Sequence, residues 1–271
     1  MRALRETRVA GHFGELIQGR LGPGGPVVLV TLPCPVPVLV ARHWPGAGLA
    51  IHGAGQRPVT PERARRFLAG LGLRLSGRVA LRAAEAGAGL GVSTAALMAL
   101  ARLAGHDGPP EALARAAIRA EGASDPLMFA DPGRLLWASR RGVVLDRMPA
   151  LPRLHALGGL WGPARRTDPA DDRFADVRDL VADWLRAAGD GPRLARIAAE
   201  SARRTLALRG PGDDPTEALA EESGALGWAI AHTGAARALL FVPGTIPRGL
   251  PSRLRSAGFR GVMAFGIGGV R

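Results

Sequence analysis

Residues 87–96 read Gly-Ala-Gly-Leu-Gly-Val-Ser-Thr-Ala-Ala, and their setting narrows the choice of fold more than any other stretch. Just before them, residues 77–84 alternate polar and apolar side chains, the period of a half-buried strand. Just after them, Ala95, Ala96, Leu97, Met98, Ala99 and Leu100 form a strongly helical run. A strand, a glycine loop and a helix N-terminus in that order make a pocket for an anion such as phosphate. Glycine lets backbone N–H groups approach the anion closely, and the unpaired first-turn amides and the helix dipole favour negative charge there. Glycine is abundant in this chain, 38 of 271 residues, about twice the usual share. The flanking strand and helix therefore carry the reading, not the glycines alone.

The chain contains no lysine, and all 36 of its Lys-plus-Arg residues are arginine. That excludes a Walker A loop, a protein kinase with its strand lysine, and Schiff-base or pyridoxal phosphate chemistry, each of which needs a lysine amine. A nucleotide triphosphate bound here is held by amides, hydroxyls, a metal ion and arginine.

At 271 residues the chain is long enough for one large or two smaller domains with a real core. Hydrophobic residues make up 47% and charged residues 22%, and no apolar run reaches the length of a membrane span. One cysteine, Cys34, excludes an internal disulfide and a cysteine metal cluster; among prolines and apolar residues it reads as a buried thiol. The first residues show no apolar signal-peptide core, so a cytoplasmic address is expected. The net charge of +13 raises nucleic-acid binding as an alternative. Against it, the arginines are dispersed, tyrosine is absent, and no zinc-finger or aromatic RNA-binding motif occurs, so no nucleic-acid partner is expected.

Strand signals fall at 7–21, in two pieces broken at Gly11 and Gly14, and at 27–31, 36–41 and 77–84. Helices are expected at 61–71, with Thr60 as N-cap and Gly72 as stop, and at 93–104 and 110–121. A hairpin follows over 135–139 and 143–145, then a boundary near 148–153 that divides the chain into 1–150 and 151–271. The second part reads as a strand at 154–161, helices at 171–188, 192–208 and 216–230, strands at 238–242 and 261–265, and a short helix at 250–257. Without regular strand–helix alternation, the class is α+β.

Three separated segments then belong together: Gly14-Glu-Leu-Ile-Gln-Gly19; the glycine loop with Glu121-Gly-Ala-Ser-Asp125 some thirty residues on; and His232-Thr-Gly-Ala-Ala236 before an apolar strand. The set resembles the GHMP kinase superfamily, small-molecule kinases whose loop motif Pro-x-x-x-Gly-Leu-Gly-Ser-Ser-Ala is matched here by Gly89-Leu-Gly-Val-Ser-Thr-Ala95. The opening hexapeptide, with Thr31-Leu-Pro33 after it, resembles the L-threonine kinase branch, which serves cobalamin nucleotide-loop assembly and propanediol utilisation. The loop departs from the motif at Glu85, in the proline position, and at Val92, in that of the first serine.

The resemblance implies a two-domain fold, a ribosomal-protein-S5-like N-terminal ATP-binding domain and a ferredoxin-like C-terminal domain, with ATP, Mg²⁺ and a small substrate in the cleft. Gly87, Gly89, Leu90, Gly91, Val92, Ser93 and Thr94 map to ATP binding, Ser93 and Glu121 to the metal, and Asp125 to catalysis as hydroxyl acceptor or orienter. Glu15, Thr31, Thr233 and Gly234 map to the substrate, with Glu15 facing an ammonium group. L-Threonine is the expected acceptor, with homoserine, ethanolamine and aminopropanol as alternatives. His12, His155 and His232 lack metal-ligand spacing and read as structural.

Overall fold

The structure is a computed structural model that describes residues 4–53, 57–165, 168–232 and 234–269. Two long strands, β1 (Arg5–Arg20) and β2 (Val27–Trp44), pair antiparallel along most of their length. Each is continuous where the sequence pattern reads as two pieces. The irregularities at Gly11 and Gly14 survive as register shifts between Val9 and Ala10, Ala10 and Gly11, His12 and Glu15, and Glu15 and Ile17. Bulges of this kind bend a strand without ending it.

β3 (Leu49–Gly53), which the sequence reading omits, pairs parallel with β4 (Gly77–Ala83), and β4 pairs with β2. Between them, α1 (Pro61–Ala69) starts as expected: the Thr60 side chain accepts the Arg63 amide and Pro61 occupies the first turn. α2 (Val92–Leu103) is largely apolar, with ten of its residues buried, and runs through the core. α3 (Pro110–Glu121) ends at Gly122 in the left-handed region. β5 (Leu135–Ala138) and β6 (Val143–Arg147) form the expected hairpin, with β5 attached to β2.

Beyond residue 150 come β7 (Leu154–Leu160), α4 (Arg178–Arg186), α5 (Gly191–Arg209), α6 (Thr216–Glu222), β8 (Gly227–Ile230), β9 (Ala236–Phe241), α7 (Leu250–Ser256) and β10 (Arg260–Ile267). Two expected helices are shorter than their patterns. The 171–188 segment turns helical only at Arg178, because Val177 N–H bonds to Arg20 O and Asp176 bridges to Arg20, which holds the chain extended along the end of β1. The 216–230 segment breaks at Gly224 (φ +68), and its last four residues become β8, buried between β9 and β1.

The sheet runs in the order β10-β7-β9-β8-β1-β2-β4-β3. Its N- and C-terminal halves meet at β1 and β8 through one paired position, Glu15 with Ile230. One apolar cluster includes residues from both halves, Val30 and Leu97 with Ala156 and Trp184; a second packs Trp228, Phe241 and Leu254. Cys34 is buried and free. Among the described residues no helix is long and apolar enough to cross a membrane.

Candidate active site

A cleft of about 280 Å³ opens where the glycine loop meets the junction of β1 and β8. Gly87, Gly89 and Gly91 all have positive φ, and Gly91 (φ +73) caps α2 with no side-chain hydrogen bond. A Cβ at Gly91 would lie 2.7 Å from His12 Cδ2 and 2.9 Å from Leu127 Cδ1, so only glycine fits.

The carbonyls of the loop are taken in order. Gly87 O accepts from Arg165 N–H (2.9 Å), Ala88 O from Ala236 (2.8 Å), Gly89 O from Gly14 (3.1 Å) and Leu90 O from His12 (3.3 Å). In a trans peptide the next N–H points opposite to the carbonyl. Tying back the carbonyls of 88–90 therefore turns the amides of Gly89, Leu90 and Gly91 away from those neighbours. The first-turn amides of α2 join them, and the loop and Val92, Ser93 and Thr94 line the cleft. Gly234 fits closely behind the loop, where a side chain would meet the backbone of Ala88 and Gly89.

Two carboxylates flank this amide-rich wall. Ser93 Oγ donates to Glu121 Oε1 at 2.5 Å, and Arg63 Nη1 lies 3.4 Å from the same oxygen. Burial pushes the Glu121 carboxyl up, against the Ser93 bond and the Arg63 charge. A buried carboxylate beside a hydroxyl is a hard-oxygen pair that fits Mg²⁺, and a cation there would relieve that desolvation.

On the other side, Thr94 Oγ1 donates to Asp125 Oδ2 (3.3 Å) and accepts the Asp125 amide (3.1 Å), while His12 Nε2 lies 3.5 Å from Asp125 Oδ2. Burial opposes the Asp125 charge, but His12 and Thr94 outweigh it and hold the carboxyl below its ordinary range. His12 Nδ1 donates to Gly14 O at 3.2 Å and lies 3.6 Å from Glu15 Oε1. Burial disfavours an imidazolium, yet Asp125 and Glu15 raise His12 to about 9. Burial also raises Glu15 to about 7. His12, Glu15 and Asp125 bring ligand atoms within 4.8 Å of one another; the imidazolium is the cation that this pair of carboxylates already holds.

His12 is thus part of the site, a correction to its reading as a structural residue. Three positions apart on a regular strand, His12 and Glu15 would face opposite ways. The register shift between them, at Gly14 (φ +77), places both on the cleft. His232 lines the cleft too: buried, stacked on Phe174 (4.1 Å, 4°), and held neutral by burial and the nearby Arg209 at about 3. Its ring nitrogens, Glu15 Oε2, Gln18 Oε1 and Ser124 Oγ are buried without hydrogen-bond partners among the described residues, and all four residues line one cleft. Buried polar atoms left in that state favour a polar ligand.

By sequence the chain matches no protein-family model and no curated protein. Its structure is similar to homoserine kinase from Cytophaga hutchinsonii (17% identity, 99% of this chain and 96% of that one, TM-score 0.65). It is also similar to mevalonate kinase from L. major solved with R-mevalonate (16%, 97% and 95%, TM-score 0.62). A third similar structure is Streptococcus pneumoniae phosphomevalonate kinase with phosphomevalonate and AMPPNP (12%, 98% and 100%, TM-score 0.68). The chain has the GHMP kinase fold.

On that fold the expected loop residues, Asp125, Glu121, Glu15 and Gly234 all line one cleft. Thr31 does not: it is fully buried, opposite Glu15 in the β1–β2 ladder. Thr94 is buried as well, and its hydroxyl serves Asp125. Leu90 and Val92 offer backbone only, since their side chains are buried. Thr233 lies outside the described residues. The sequence reading missed His12, Gln18, Arg63, Arg140, Arg165 and Phe174 as cleft residues. A polar residue inside the apolar β1 pattern was the one available signal for His12 and Gln18.

Proposed function

We propose that this protein is an ATP- and Mg²⁺-dependent kinase that phosphorylates the hydroxyl of a small amino acid, with L-threonine the preferred acceptor and O-phospho-L-threonine for cobalamin nucleotide-loop assembly the product. One observation carries the reading: an uncapped helix N-terminus behind a loop whose carbonyls face away, set between Ser93–Glu121 and Asp125. A similar structure holds a non-hydrolysable ATP analogue and a phosphorylated substrate, which supports the same use of this cleft. The division into an ATP-binding part, 1–150, and a C-terminal part, 151–271, belongs to this proposal, as does a cytoplasmic location.

The amides from Gly89 to Ser93 receive the phosphates, and Ser93 and Glu121 are the residues to hold Mg²⁺, which would neutralise phosphate charge. Glu15, with Gln18 beside it, faces the ammonium of the acceptor. The acceptor hydroxyl donates its hydrogen bond to Asp125. Its oxygen bonds to the γ-phosphorus, the bond from phosphorus to the β-bridging oxygen breaks, ADP leaves, and the hydroxyl proton passes to Asp125. A carboxylate held at low pKa by His12 suits late proton transfer, once bond formation has made that proton acidic.

The test is ADP release from Mg-ATP with L-threonine, homoserine, ethanolamine and aminopropanol. Turnover stimulated by L-threonine, reduced about 10²- to 10⁴-fold in Asp125→Asn, is expected. No turnover with any acceptor, together with tight salt-sensitive RNA binding, would overturn the kinase reading in favour of a nucleic-acid role.

A further inference from the structure

We infer that Arg165 is the side-chain cation that binds the nucleotide phosphates, in the role that lysine fills in other phosphate-binding loops; this rests on the nucleotide reading of the cleft. The chain has no lysine, so the positive side chain must be an arginine or His12. Among the described residues, four cationic side chains line the cleft: His12, Arg63, Arg140 and Arg165. His12 is committed to Glu15 and Asp125, and Arg63 to Glu121. Arg140 donates to the Asp171 carbonyl and lies 5.3 Å from the Phe174 ring. The Arg165 side chain has no hydrogen bond or ion pair among the described residues and is exposed.

Its backbone, by contrast, is anchored to the loop. Past the end of β7, Trp161 N–H bonds to Ala235 O (2.8 Å) and the Trp161 indole to Ala257 O (3.1 Å). Arg165 N–H then bonds to Gly87 O (2.9 Å), and Ala236 N–H to Ala88 O beside it. These bonds tie the 161–165 strap, the 235–236 turn and the glycine loop together, which fixes Arg165 Cα at the loop entrance. Arg165 lines both the cleft and the adjoining cavity of about 400 Å³.

Its position selects phosphate over the acceptor. Arg165 joins the loop at Gly87, whereas Glu15 and Gln18, proposed to face the acceptor, carry atoms unpaired among the described residues. A guanidinium grips two phosphate oxygens at once, and being more weakly hydrated than an ammonium it gives up less hydration in closing on them.

The experiment is calorimetric titration of AMPPNP with Mg²⁺, and of adenosine, into wild type, Arg165→Ala, Arg165→Lys and the control Arg115→Ala on the exposed face of α3. Loss of a charge-assisted pair predicts AMPPNP binding weakened about tenfold or more in Arg165→Ala. Adenosine binding stays unchanged, Arg165→Lys recovers part of the loss, and Arg115→Ala matches wild type. Equal AMPPNP affinity in wild type and Arg165→Ala would overturn the role of Arg165 and leave the nucleotide cleft standing. Equal weakening in Arg115→Ala would overturn it too, since the effect would then be one of net charge. A wild type that binds no AMPPNP would remove the nucleotide reading itself.

Discussion

His12 sets the charge balance of the cleft. It sits between Glu15 and Asp125 as an imidazolium and, with the Thr94 hydrogen bond, holds the buried Asp125 carboxyl below its ordinary range. In His12→Gln that cation is gone, and burial then pushes the Asp125 carboxyl up. The acidic limb of the kcat/KM profile should move to higher pH by about one unit or more. A limb that stays in place in pH–rate profiles of the two proteins would contradict this account. The same linkage acts on stability. A histidine raised from 6.5 to about 9 contributes stability that is complete below 6.5 and lost as pH rises through about 9. Thermal melts of wild type should therefore fall over that range more than those of His12→Gln. For Glu15, raised to about 7, ionisation comes late, so KM for an acceptor carrying an ammonium group should improve as pH rises through about 7.

At the scale of elements, the loop and α2 act as a single part. Gly91 must be in the left-handed region, and a methyl there presses on the His12 ring and Leu127. Gly91→Ala should cost about 1–3 kcal/mol in chemical denaturation. It should also weaken AMPPNP binding, because the amides of Leu90 to Ser93 move with residue 91. Retention of wild-type affinity would show that those amides are not the anion site. Much of this element was legible beforehand: the order of strand, glycines and helix, the Thr60 cap and the β5–β6 hairpin all stand in the structure. The misreadings share one cause. Residues 227–230 and 171–177 have helical patterns, but partners distant in sequence, β9 and β1 for the first and the end of β1 for the second, supply backbone bonds in other conformations. Local pattern yields to tertiary pairing when that pairing satisfies buried backbone groups.

For the whole molecule, the join between the two halves of the sheet is thin and lies in the cleft. β1 meets β8 at Glu15 and Ile230, and Gly14 lies against the Ile230 backbone, 2.6 Å from where a Cβ would be. Gly14→Ala should part these strands, lower the melting temperature by several degrees and raise amide exchange in β1 and β8 together. Exchange rising in β1 alone would mean that the seam is held elsewhere. The charge of +13 is also best seen at this scale. Many arginines are spent on acid pairs across elements, such as Arg204 with Asp179, Arg209 with Asp171, and the buried Arg237 with Asp214.

The sequence by itself indicated the α+β class and the succession of strand, glycine loop and helix, because each rests on neighbours within a few positions of the chain, whereas Glu15, Glu121 and Asp125 were singled out only through the resemblance to a kinase family. Tertiary structure alone decided that Thr31 is buried opposite Glu15, that Thr94 serves Asp125, and that His12 and Arg165 belong to the cleft. Those outcomes depend on a shift in strand register and on hydrogen bonds between residues far apart in sequence. Neither leaves a periodic mark on the chain.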